Sequence, residues 1–118
     1  MFIQYITFNT NEDTFNSKKE VQAYWKEHPQ LKVFVNLFEI SKANGLVVGD
    51  DIIIDPEINN IHTLMRSYPS YDAYLTHVVT ISNQMSDDLT ILLREKGWTV
   101  TYTLNDDRNS RPLLPINV

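Results

Sequence analysis

The stretch PQLKVFVNLFEISKANG, residues 29–45, can be read in two ways. Its β-branched and aromatic residues would suit a strand, with Asn44-Gly45 closing a hairpin. Strict alternation fails, however. Lys32, Asn36 and Glu39 form a polar stripe at i, i+4 and i+7, and Leu31, Phe34, Val35 and Phe38 form an apolar one. The spacing predicts a helix over 30–44, with Gly45 as its terminal glycine. This choice decides the fold because it makes the two halves of the chain alike.

Upstream, Ser17-Lys18-Lys19-Glu20 reads as a capping box: Ser at N-cap, Glu at N3, each satisfying an orphan amide of the other. Val21, Tyr24, Trp25 and His28 follow on one helical face. The second half repeats the design. Ser70 in SYPSYDAYL (67–75) is a good N-cap, Pro69 blocks an earlier helix, and Asp72 meets the positive end of the dipole. Tyr71, Tyr74, Leu75 and Val78 then recur as a buried face, so the tyrosines read as packing residues. A second segment, SDDLTILLREKG, is expected to be capped by Ser86 and closed by Gly97.

After each glycine comes a strand, residues 46–55 and 98–104. Before each capping serine lies another, 2–8 and 60–68. The chain therefore reads as β-α-α-β twice. The expected fold is α+β and ferredoxin-like: a four-stranded antiparallel sheet with helices on one face. In WTVTYTL (98–104), Trp98, Val100, Tyr102 and Leu104 should meet the helices. Thr99, Thr101 and Thr103 should face water or a second subunit. Asp55-Pro56-Glu57 either bends the link between halves or caps a short helix. Residues 1–106 form one domain. Residues 107–118 form a C-terminal extension whose Leu113, Leu114, Ile116 and Val118 are expected to dock on their own or a partner subunit.

Composition narrows the function classes. The chain has 118 residues, 42% of them hydrophobic, which suits one globule with a modest core. The opening MFIQYITF lacks the basic residues and cleavage site of a signal peptide, and no apolar run is long enough to cross a bilayer. With no cysteine there is no disulfide, thiolate site or thiol nucleophile, which suits a cytoplasmic protein. A net charge of −5, with Lys18-Lys19 the one tight basic pair, argues against nucleic-acid binding. His28, His62 and His77 lack metal-ligand spacing, so neither a metal nor another cofactor is expected. The glycines at 45, 49 and 97 have turn or terminus roles rather than cradling a phosphate. Asp50-Asp51 after Gly49 reads as a turn or bulge within the second strand. No Ser-His-acid set can be assembled from spacing.

The β-α-α-β duplication, with a strand running into YPSYDAYLTHV, resembles the dimeric α+β barrel superfamily, especially antibiotic-biosynthesis-monooxygenase-like domains. There a strand ends in an aromatic, then Ser, then an acidic-Ala-aromatic helix start, here Tyr68, Ser70, Asp72, Ala73 and Tyr74. The family includes cofactor-independent oxygenases and haem-degrading enzymes. By position, the resemblance places the Asn, strand-end aromatic and helix His of the haem-degrading members on Asn9, Tyr68 and His77. Tyr68 stands where those members have Trp. It implies an enzyme acting on a planar aromatic substrate, with His77 as base and Asn9 and Tyr68 orienting.

The residues themselves favour another reading, because they supply no convergent ionisable set. That reading is a small non-enzymatic binding or interaction protein, homodimeric through the open sheet face. It would take a protein or a small hydrophobic ligand, as a phage-type accessory protein binding a host or defence protein would.

Overall fold

The computed structural model describes residues 1–55, 57–106 and 111–112, with the backbone alone described at 81–89, 106 and 111–112. Strand β1 (Phe2–Asn9) leads to helices α1 (Lys18–Glu27) and α2 (Pro29–Ala43), then strands β2 (Gly49–Ile54) and β3 (Ile61–Tyr68). Helix α3 (Tyr71–Lys96), strand β4 (Thr99–Asp106) and a two-residue strand β5 (Arg111–Pro112) complete the order. The sheet runs β2-β3-β1-β4-β5, and every neighbouring pair is antiparallel. Four full strands with helices on one face make the ferredoxin-like arrangement.

The stretch 29–45 is helical. His28 closes α1 and opens α2 in an extended conformation, as the residue before Pro29 must. Leu31 and Phe34 face the core, Lys32, Asn36 and Glu39 face solvent, and Gly45 takes φ +75 just past the helix end. Both capping serines act as expected: Ser17 Oγ accepts from Glu20 N at 3.2 Å and Ser70 Oγ from Ala73 N at 3.1 Å. The Glu20 carboxylate reaches back to Asn16 N at 2.6 Å, one residue before the amide of a strict capping box.

Three local expectations are corrected. Ser86 opens no helix, since α3 is continuous for 26 residues. The first arm breaks at Pro29, whereas ISNQMSDD holds neither Pro nor Gly to interrupt a helix. Asp50 and Asp51 are not a turn or bulge but regular strand residues, paired with Arg66 and Met65. Lys42 Nζ meets Asp50 at 3.1 Å and Lys18 Nζ meets Asp51 at 2.7 Å, which lets two acids sit in an edge strand. On α3, Tyr71 is 46% and Leu75 39% exposed, while His77 is buried. The face that meets α2 and the sheet runs through Ala73, Tyr74, His77 and Val78.

Between the halves, Asp55 Oδ1 accepts from Glu57 N at 2.9 Å and Ile58 N at 3.3 Å, so the link is an Asp-capped turn rather than a helix. Of the extension, Arg111–Pro112 pairs with Asn105–Asp106. Leu113, Leu114, Ile116 and Val118 lie outside the described residues.

The register places Phe2, Gln4, Ile6 and Phe8 of β1 level with Tyr68, Arg66, Leu64 and His62 of β3 on the helix-covered face. Trp98, Tyr102 and Leu104 are buried there, and Thr99, Thr101 and Thr103 are exposed on the other face. One row on the covered face is polar. Asp50, Arg66 and Gln4 lie side by side across β2, β3 and β1. This row divides the core in two: an aromatic cluster around Phe8, Trp25 and Trp98, and a smaller one around Phe2, Tyr68 and Tyr74. Gln4 is buried, Arg66 half-buried and Asp50 exposed at the sheet edge. The buried polar groups of the row must be satisfied internally or by a ligand, because each one left unpaired costs about 1–3 kcal/mol.

Candidate functional site

Tyr68 and His77 come together where β3 runs into α3. Their rings are 5.8 Å apart and both side chains are buried. Tyr68 donates its hydroxyl to Gln4 Oε1 at 2.6 Å. Burial pushes the Tyr68 phenol up to about 12, against the opposing pull of the Arg66 guanidinium. Tyr68 therefore stays a neutral donor across the physiological range.

The protonation of His77 follows from its two partners. Arg66 Nη1 lies 3.2 Å from Nε2, and a guanidinium only donates, so Nε2 accepts. The ring proton of the neutral form then sits on Nδ1, 2.6 Å from Ser41 Oγ, which accepts it. Burial, reinforced by the Arg66 charge, lowers His77 to about 4. The imidazole is thus neutral, and its one basic lone pair is occupied by Arg66.

Asn9 does not join this pair. It lies at the far end of β1 from Phe2, the residue opposite Tyr68, roughly 23 Å away at about 3.3 Å per residue. It also falls on the opposite face of the sheet, and its Oδ1 accepts from Asn11 N at 3.1 Å, shaping a turn.

Beside the Tyr68–His77 pair, a cleft of about 130 Å³ opens between α1, α2 and the sheet. Trp25, Phe34, Val35, Phe38, Ile52 and Leu64 give it apolar walls, and Arg66 reaches it from the polar row. Tyr68 and His77 do not line it. The Arg66 guanidinium lies 4.3 Å from the centre of the Phe38 ring, a cation–π contact that holds it flat.

Solved structures with the same arrangement exist. One is a protein from Deinococcus radiodurans provisionally assigned as an antibiotic biosynthesis monooxygenase. It has a TM-score of 0.52 and 14% identity, with 100% of this chain and 98% of that one covered. Another is a dimeric ferredoxin-like protein from an uncultured marine organism. It has a TM-score of 0.55 and 16% identity, with 88% and 91% covered. The shared feature is the fold. No family model and no curated protein matches the chain.

Arg66, Gln4 and Ser41 were not singled out from the sequence, and Phe38 was named only as part of the apolar face of α2. Arg66 had a usable signal: in NIHTLMRSY it shares the parity of His62, Leu64 and Tyr68, so an arginine stands on the inward face of a strand. Ser41 had none, because its role arises only where α2 crosses α3, and periodicity put Phe38 on an inward face without naming what it would meet.

A second buried histidine lies in the aromatic cluster. His62 is 1% exposed, stacks on Phe8 at 5.3 Å, and meets Phe15, Trp25 and Trp98 edge-on. Neither ring nitrogen has a partner among the described residues. Burial lowers it to about 4, so it is neutral and acts as an aromatic packing residue.

Proposed function

We propose that this chain is a non-enzymatic binding protein that holds a small hydrophobic ligand in the cleft between α1, α2 and the sheet. The observation that carries the reading is the state of His77. The side chain best placed to act as a base does not line the cleft and has its lone pair bonded to Arg66. General-base catalysis needs that lone pair free and within reach of substrate. The cleft joins an apolar wall to a set of charged side chains, at the size of a single-ring molecule.

The expected result is saturable binding of ring-sized aromatic molecules in calorimetry, with each recovered unchanged by mass spectrometry after incubation in air. A second reading, an oxygenase acting on a planar aromatic, is favoured by the fold shared with the monooxygenase-assigned protein. Consumption of a hydroquinone in air that is lost in His77→Ala would sink the binding reading and establish the other.

The chain also reads as a homodimer through its open sheet face. Ile3, Tyr5 and Met65 give that face an apolar centre, and Ile53 at its edge is 47% exposed. The fold neighbour described as dimeric supports this reading. The extension 107–118 then docks on its own or the partner subunit. Light scattering should return twice the chain mass. If mass is unchanged on removing residues 107–118, the extension docks on its own subunit; a fall to monomer places it on the partner. A monomeric full chain overturns the dimer.

A further inference from the structure

We infer that the cleft recognises a monocarboxylate with a single ring-sized apolar body, and that Arg66 is the residue that binds the carboxylate. The inference rests on the cleft being a ligand site and adds the chemical class of the ligand.

Arg66 carries a charge into the covered face of the sheet. Cross-strand Asp50 acts on it through charge but is bridged by Lys42 at 3.1 Å, and no carboxylate among the described residues forms an ion pair with Arg66. It donates to the neutral imidazole of His77 and is hydrogen-bonded to the Tyr68 hydroxyl. A guanidinium has five donors, and these two neutral partners leave part of its capacity unused. None of its nitrogens is among the sealed, partnerless atoms of the core. Arg66 instead borders the open cleft.

The geometry suits a carboxylate. Phe38 supports the flat guanidinium at 4.3 Å and His77 fixes one edge of it at 3.2 Å. The planar fork is thus oriented before a ligand arrives, and a carboxylate meets such a fork with two parallel hydrogen bonds. Trp25, Phe34, Val35, Phe38, Ile52 and Leu64 form an apolar wall beside it, which calls for a hydrophobic body behind the acid. Its size is limited by the volume of about 130 Å³, close to the ~150 Å³ cavity that accommodates benzene.

The other charges at the cleft set the ligand's charge. Asp50 and Asp51 line it but are bridged by Lys42 and Lys18. Glu39 and Lys26 also line it and offset one another. Arg66 is the surplus cation. One negative charge on the ligand balances the site, whereas a phosphate dianion would leave one charge unmatched.

Benzoate and benzamide separate the possibilities, since they share a ring and differ in charge. Calorimetry on the full chain at pH 7.5 is expected to show benzoate binding at least tenfold more tightly than benzamide. Arg66→Lys, which keeps the charge and removes the fork, should lose most of that preference. Arg66→Gln should abolish it, with circular dichroism reporting whether the fold is retained. The wild-type comparison decides the matter even if a variant fails to fold. Equal affinity for both probes overturns the carboxylate inference and leaves the cleft as a ligand site. Failure of both probes to bind at millimolar concentration overturns the cleft reading, and this inference with it.

Discussion

Trp98→Ala is expected to cost about 3–5 kcal/mol, the range for removing a large buried aromatic. Trp98 is 4% exposed and lies among Phe8, Phe15, Tyr24, Trp25 and His62. It joins α1, the β1–α1 connection and β4, so the void could not be filled by moving one element. Its Nε1 also donates to Asp13 Oδ2 at 2.7 Å, which ties down the segment before α1. Trp98→Phe keeps a ring and loses that bond, and should cost roughly 1–2 kcal/mol. Thr101→Ala, on the exposed face of the same strand, should stay within about 0.5 kcal/mol in a monomeric reference. Urea melts of the three variants test the order. If Trp98→Ala melted within a few degrees of the parent, Trp98 would not be the centre of the core.

That prediction comes from strand alternation, which was readable before any coordinates. So were the caps. Ser17, Ser70, Gly45 and Gly97 act through local backbone chemistry, and local chemistry is what a sequence states most directly. The helical reading of 29–45 succeeded for the same reason, because Pro29 and Gly45 punctuate it at both ends. The misreadings share a cause. Ser86 looked like a cap because Ser-Asp-Asp is good cap chemistry, yet nothing in ISNQMSDD forces a helix to stop. Tyr71 and Leu75 looked buried because periodicity gives a stripe without saying which flank another helix will cover. His77 is buried and Tyr71 is not because α2 crosses α3 at Ser41 and Phe38. The same gap hid most of the candidate site. Tyr68 and His77 could be named from a motif, but the polar row of Asp50, Arg66 and Gln4 exists only once three strands are in register. Asn9 was named on chain position alone, and the register carries it to the other end of the sheet.

The same two buried histidines predict an acid-labile fold, with the transition above the range where carboxylates usually act. His62 and His77 are each lowered to about 4 in the folded chain, against 6.5 for the free side chain, first by burial. Between those values the unfolded chain binds more protons than the folded one. Stability is therefore full above pH 6.5 and is lost as pH falls towards 4. At pH 5 the loss is about 2 kcal/mol per histidine, rising to about 3 near pH 4, at 1.36 kcal/mol per pH unit. Together they rival the whole stability of a small domain, about 5–15 kcal/mol. His28 is lowered in the same direction, by burial and then by Lys96, and adds to the slope. Asp51 does not imitate the effect, because its pKa lies below 3.8 and its contribution is lost only under that value. The urea midpoint should accordingly fall steeply between pH 6.5 and 4.5. His62→Phe suits an aromatic surround whose members offer the ring nitrogens no partner, and should remove about half of the slope. His77→Gln keeps a side-chain oxygen to accept from Arg66 and should remove the other half. A midpoint that stayed level from pH 7 to pH 5 in the parent would mean that these imidazoles gain protons without resistance, and that they are not sealed in the core.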